Sequence, residues 1–229
     1  VGLGLLLGLA CPGAMGACPS ASVGRPTNGK LHCGRRLATS GPHHTLQRWT
    51  AEHEYRWGTE RLIDGVLWIA EHAQPTTGHQ RLWLGNLSAR DGGDVLATTS
   101  HESGRDVDFP FLMMNQHGKR LPSYYHHFDA EGVSLSHGAH FRFDVARNWQ
   151  LLNVILDCPH FDIAFIMVYA PLRQMLLDHA RIAGAAPERI ARVEQVLRAP
   201  WRGVRPHDNH FHLRIRCTPA EREAGCKEQ

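Results

Sequence analysis

The densest run of chemically capable side chains is PHDNHFHLRIRC, residues 206–217. Successive side chains of a strand point to opposite faces. His210, His212, Arg214 and Arg216 therefore share one face, while Phe211, Leu213, Ile215 and Cys217 share the other. The second set is apolar and belongs in a core. The first sets two imidazoles side by side, one able to bind a metal and the other to move a proton beside it.

A second segment, SHESGRDVDF at 100–109, puts Asp106 and Asp108 on one face and Val107 and Phe109 on the other. Carboxylates are unfavourable inside strands, so each needs a reason. For Asp106, just after Gly104, the simplest is capping of a turn. Asp108 precedes Phe109-Pro110-Phe111, and a carboxylate in apolar surroundings wants a cation partner or a metal. His101, joined to it through a flexible Glu102-Ser103-Gly104, can swing in as a second ligand. Catalytic zinc takes three protein ligands and keeps a fourth position for water.

The joint pattern, His101-x6-Asp108 followed far downstream by His210-x-His212, resembles the zinc site of the LAS metallopeptidases, a group that includes the hedgehog signalling domain. The wording is closer still to the penicillin-insensitive murein endopeptidases. Their SH-x-x-G-x-DVD segment is similar to Ser100–Asp108, and their HD-x-HFH-x-R-I segment, followed by Cys, is similar to His207–Ile215 and Cys217. The similarity spans about residues 27–226.

That resemblance implies His101, Asp108 and His212 as zinc ligands, His210 as the residue acting on the water, and His207 as a transition-state-stabilising partner. It implies a single zinc site, because the histidine that the family carries three residues before the first ligand is Thr98 here. His126, His127, His137 and His140 read as loop histidines near a substrate groove. The implied activity is a zinc-dependent murein endopeptidase that hydrolyses D-alanyl–diaminopimelate cross-links of peptidoglycan peptide stems by metal-activated water. Two alternatives stay open. One is a D-alanyl carboxypeptidase whose groove is closed by residues 115–140; the other is a non-catalytic, zinc-containing peptidoglycan-binding module. No HExxH, G-x-S-x-G or Ser-x-x-Lys pattern offers a different chemistry.

The elements that must position these residues are legible from periodicity. Leu62, Ile63, Val66, Leu67, Ile69, Ala70 and Ala73 have helical spacing over 59–73, with Thr59 as N-cap. A second amphipathic helix is expected over 143–157, and two more over 171–183 and 187–199, separated by Gly184. Short strands are expected at 81–88, 161–169 and 210–217, and a long polar excursion at 115–140. Strands and helices without a βαβ rhythm mean α+β. The resemblance adds a small central antiparallel sheet carrying the zinc site, flanked by helices and long loops.

With 229 residues, the chain divides into a leader at 1–18, an extended lead-in at 19–58 and a metallopeptidase domain at 59–229. Its net charge of +3 is too mild for a nucleic-acid binder, whereas 17 histidines suit metal or acid–base chemistry. The apolar run Val1–Ala10 is too short to span a bilayer and reads as the core of a secretory signal, which predicts an exported, periplasmic or envelope protein. Cys11 or Cys18 could instead carry a lipid anchor. Beyond the leader, Cys33, Cys158, Cys217 and Cys226 form an even set. The near pair Cys217 and Cys226 is expected to close the tail, leaving Cys33 to Cys158.

Overall fold

Period-2 alternation around the Asp and His motifs does produce strands, and they are neighbours. The computed structural model describes residues 18–135 and 140–228; Cys11, the rest of the leader through residue 17, and His137 lie outside them. In chain order the first elements are β1 (Ala21–Arg25), β2 (Asn28–His32), β3 (Arg35–Arg36), β4 (His44–Leu46), α1 (Arg48–Glu52) and β5 (Trp57–Gly58). There follow α2 (Glu60–His72), α3 (Gln74–Thr77), β6 (Leu82–Leu84), β7 (Asp106–Pro110), β8 (Met113–Asn115), β9 (Arg120–Leu121) and β10 (Phe141–Phe143). The chain continues through α4 (Val145–Leu156), β11 (Ile163–Met167), α5 (Ala170–Ile182), α6 (Pro187–Val196), β12 (Leu197–Arg198), β13 (His210–Ile215) and α7 (Pro219–Glu223). The architecture is mixed α+β.

The sheet that matters for chemistry runs β12-β11-β13-β7. β13 is antiparallel to both β7 and β11. β12, however, pairs with β11 in parallel, so the sheet is not wholly antiparallel as expected. The reason is the connection. α5 and α6 lie between β11 and β12, and a long helical crossover returns the chain in the same direction, which a tight hairpin cannot do.

α2 turns Leu62, Ile63, Val66, Ile69 and Ala70 into the core, each at most 1% exposed. It starts where Thr59 predicts, although the Thr59 side chain makes no capping bond. α4 is capped by Asp144, whose carboxylate accepts from Arg147 N at 3.1 Å. From the same helix, Asn148 clasps Leu112 on both sides, accepting its N–H at 3.0 Å and donating to its carbonyl at 2.7 Å. That clasp fixes the chain as it leaves β7.

An aromatic cluster lies under the sheet. Phe111 meets Phe211 at 4.9 Å and Phe143 at 5.0 Å, and Phe128 joins Phe143 at 6.1 Å between ring centres. Burying one such ring contributes roughly 1.5–3 kcal/mol. Phe128 comes from the polar excursion, so one core residue ties that otherwise irregular segment to the sheet.

The lead-in, residues 19–58, lies on the domain rather than apart from it: β4 pairs with β6, and β3 with β5, which leads into α2. The cysteines require a correction. Cys217–Cys226 forms as expected, but Cys33 bonds Cys18, not Cys158. Cys158 is free and buried at the end of α4, its thiol against the Gly65 carbonyl of α2 and its pKa pushed up to about 11 by burial. The bond also ties residue 18 to the folded part and occupies the sulfur that a lipid chain at Cys18 would need.

Candidate functional site

The register of β7 against β13 builds half of the site. His212 stands opposite Asp108, and Arg214 opposite Asp106. Side chains directly opposite on an antiparallel pair are in contact range. His212 Nδ1 lies 3.2 Å from Asp108 Oδ1, and its Nε2 donates to Asp106 Oδ1 at 3.0 Å. Arg214 Nε donates to the same Asp106 oxygen at 2.6 Å, with the guanidinium over the Phe165 ring.

Asp106 is therefore no turn cap. It is fully buried and bridges His212 to Arg214. Burial pushes its pKa up, but Arg214 and His212 outweigh that and hold it well below the usual carboxylate range. For Asp108, burial again raises the pKa, and His210 and His101 carry it below the ordinary value. His212 shifts the other way: burial lowers its pKa, and the two carboxylates raise it above the ordinary value.

The other half comes from loops. His101 Nε2 lies 3.2 Å from Asp108 Oδ1, and the side chain is buried. The segment that carries it does not swing. Ser103 and Gly104 are buried, and Glu102 is held at three points: its N–H donates to Pro26 O at 3.0 Å, its carbonyl accepts from Gly93 N at 3.0 Å, and its carboxylate accepts from Gly29 N at 3.3 Å. The β1–β2 hairpin thus fastens the His101 loop.

Gly104 sits at φ 71°, a left-handed conformation that favours glycine, and a Cβ there would meet Leu31 Cδ1 at 2.6 Å. His101 itself takes φ 73° and His207 φ 54°, conformations that surrounding structure must enforce.

From the excursion, Tyr125 donates its hydroxyl hydrogen to Asp108 Oδ2 at 3.1 Å and accepts Asn86 N–H at 3.2 Å. Burial, and then the Asp108 charge, push its pKa well above the usual phenol value. Gly85 makes room for that hydroxyl, because a Cβ there would overlap it.

His210 and His207 stand beside the set. His210 Nε2 is 3.4 Å from Asp108 Oδ1, and burial pushes its pKa down to about 3 against the opposing pull of Asp108. His207 lies 5.0 Å from His210 and 5.5 Å from His212 between ring centres, its Nδ1–H donated to Arg205 O at 2.7 Å. Burial lowers its pKa as well. All five expected residues, His101, Asp108, His207, His210 and His212, line one cleft of about 740 Å³. Trp49, Trp201 and Arg205 stand on its walls.

His127 also reaches the cleft, whereas His126 packs against Phe141 at 4.9 Å and His140 is exposed. Thr98 lines the cleft too, but its hydroxyl is bonded to the Val95 and Ser100 carbonyls. Sequence reasoning missed Asp106, Tyr125 and Asn86. For Asp106 a signal existed, since Arg214 shares a face with His212 and a buried cation wants a carboxylate.

Can these residues hold a cation? His101, Asp108 and His212 each bring a ligand atom within 4.8 Å of the others, and so do His207, His210 and His212. The first set is wholly buried and includes an anion. With its Nε2–H given to Asp106, a neutral His212 aims a lone pair from Nδ1 at the oxygen lone pairs of Asp108. That arrangement is repulsive unless a proton or cation lies between them. His101 Nδ1 is buried and, among the described residues, has no hydrogen-bond partner, as befits a ring turned by something other than hydrogen bonding. The donor set fits zinc, which takes His nitrogen and carboxylate oxygen together.

A mixed sheet that aims two histidines and an aspartate into an open cleft defines a protein able to hold a divalent cation where a ligand can reach it. The model of the penicillin-insensitive murein endopeptidases matches residues 22–229, and the chain belongs to that family. It is accordingly a peptidase, a hydrolase of the cell-wall polymer peptidoglycan. No curated protein matches the sequence.

Proposed function

We propose that the protein is a zinc-dependent murein endopeptidase that cleaves the D-alanyl–diaminopimelate cross-links of peptidoglycan, with His101, Asp108 and His212 holding one zinc ion. The observation that supports this most is the convergence of His101 Nε2 and His212 Nδ1 on Asp108 Oδ1, each at 3.2 Å, in a chain of this family. Zinc bound there would supply a Lewis acid able to polarise an amide carbonyl and to lower the pKa of a coordinated water to about 7.

The chain's own residues do the rest. His210, its Nδ1–H given to Asn209 Oδ1 at 2.5 Å, keeps Nε2 as a base facing the cleft. It takes a proton from the attacking water and hands it to the leaving amine. His207, fixed by the Arg205 carbonyl, stands against the tetrahedral centre as that centre develops. Asp106 holds His212 in the tautomer that presents Nδ1. The cleft admits a branched peptide, and its walls exclude part of the bulk water.

Two disulfides suit an oxidising compartment, which supports export to the periplasm or cell envelope. Among the described residues no helix is long and apolar enough to cross a membrane.

The test is metal content together with muropeptide analysis, wild type against His212→Ala. Purified wild type should carry zinc, release monomeric muropeptides from cross-linked sacculi and ignore penicillin, while the variant should do neither of the first two. Full activity in His212→Ala would remove the assignment. Incubation with free pentapeptide and with cross-linked dimer separates an endopeptidase from a carboxypeptidase, and binding without new amine termini would mean a wall-binding module.

A further inference from the structure

We infer that Asp208, His127 and Asn209 form a chain of hydrogen bonds that sets the tautomer of His210, keeping the proton on Nδ1 and the lone pair on Nε2. This rests on the reading of His210 as the residue that moves the proton. Asp208 and Asn209 belong to the same sequence motif as His210, while His127 comes from the excursion, more than eighty positions earlier in the chain.

The direction of each bond follows from the one before. A carboxylate can only accept. His127 Nδ1, 2.7 Å from Asp208 Oδ1, must therefore be the protonated nitrogen of a neutral ring. Its Nε2 is then an acceptor, and at 3.4 Å it takes a hydrogen from Asn209 Nδ2. An Asn side chain has a donating and an accepting end, and its amide orientation is set by its hydrogen-bond partners. With Nδ2 turned to His127, Oδ1 faces His210 Nδ1 at 2.5 Å, and that nitrogen must donate. The single proton of a neutral His210 is thereby on Nδ1, and Nε2, 3.4 Å from Asp108 Oδ1, holds a lone pair. Were the amide reversed, His210 Nδ1 would accept, the proton would move to Nε2, and the base would be lost.

The backbone keeps the two strands of this chain in register. Phe128 N donates to Asp208 O at 3.0 Å, and Phe111 N to Asn209 O at 3.4 Å. With Phe128 buried in the aromatic cluster, His127 is held beside the entry to β13 although its own ring is 60% exposed. That exposure makes it the member that can be replaced without disturbing the core.

The experiment uses the purified full chain labelled with ¹⁵N-histidine, the His210 signals being assigned by their loss in His210→Ala. Long-range ¹H–¹⁵N spectra should show His210 protonated at Nδ1 in the wild type and redistributed towards Nε2 in His127→Ala. On a cross-linked muropeptide dimer, His127→Ala should lose about tenfold in kcat, well within the range of general-base contributions. KM and zinc content should stay within about twofold. His127→Gln, whose carbonyl can accept the Asn209 hydrogen, should recover most of the rate. A wild-type His210 protonated at Nε2, or a His127→Ala protein with wild-type tautomer and kcat, overturns the inference. A parallel rise in KM overturns it too, because it would make His127 a substrate contact. A wild type that leaves murein uncut would instead remove the proposed function, and the tautomer measurement would still decide the chain.

Discussion

The two walls of the site are made by different means. The strand wall, β7 and β13, places Asp106, Asp108, His212 and Arg214 by ladder register, so each side chain is aligned by several backbone bonds at once. The loop wall places His101 through Glu102 and the hairpin, and Tyr125 through Phe128 and a hydroxyl that bridges Asn86 and Asp108. Register is redundant; a loop held by a few named bonds is not. Substitutions on the strand wall should therefore change chemistry and leave the fold standing. On the loop wall they should cost stability first and chemistry as a consequence.

The largest effect tests the strand wall. Asp108→Ala removes the oxygen on which three imidazole nitrogens converge. Metal affinity and muropeptide release should each fall by more than about a hundredfold, beyond the 10–100-fold typical of residues that only orient a ligand. Zinc content after dialysis checks the first, and product release from sacculi the second. Retained zinc would shift the metal to the His207, His210 and His212 set.

Next comes Gly104→Ala on the loop wall. The left-handed backbone and the close approach of Leu31 together should lower stability by about 2–3 kcal/mol, read as a reduced urea midpoint with unchanged slope. Zinc should bind more weakly as His101 loses its position. If affinity falls while stability does not, the contrast between the walls fails.

Asp106→Asn is milder. It keeps the shape and an acceptor for His212 but removes the charge that Arg214 faces, so zinc affinity should drop by about tenfold, the lower end for an orienting carboxylate. Competition with a chromophoric chelator measures it. An unchanged affinity would mean that ladder register alone orients His212.

The same contrast explains what was legible in the sequence. Alternation with a period of two is a local signal, and it assigned His210, His212, Asp108 and the apolar face of β13 without a partner strand in view. Helices α2 and α4 declared themselves by spacing in the same way. Asp106 was visible on the right face yet misassigned, because its role depends on Arg214 more than a hundred residues away. Tyr125 had no local signal at all. It lies in a stretch without periodicity, and only the burial of Phe128 brings that stretch over Asp108. The disulfides failed for a related reason. Counting Cys18 with the leader left Cys33 no partner but Cys158, whereas the hairpin returns the chain so that residues 18 and 33 meet. Long-range closure decides such pairs, and spacing does not record it.

The smallest effect draws the boundary between the walls most finely. Tyr125→Phe keeps the ring against His210, at 5.3 Å between centres, and removes only the hydroxyl. Asn86 N–H then loses its acceptor, and Asp108 Oδ2 loses a donor. Leaving a buried group unpaired costs about 1–3 kcal/mol, and the opening beside Gly85 is small, so the expected loss is near 1 kcal/mol in chemical denaturation. Zinc affinity should change by no more than about threefold, because Asp108 Oδ1, on which His101 and His212 converge, keeps its place in the ladder. A tenfold or larger loss of zinc with little loss of stability would mean that the excursion, not the strand register, aims Asp108, and the division between the two walls would have to be redrawn around Tyr125.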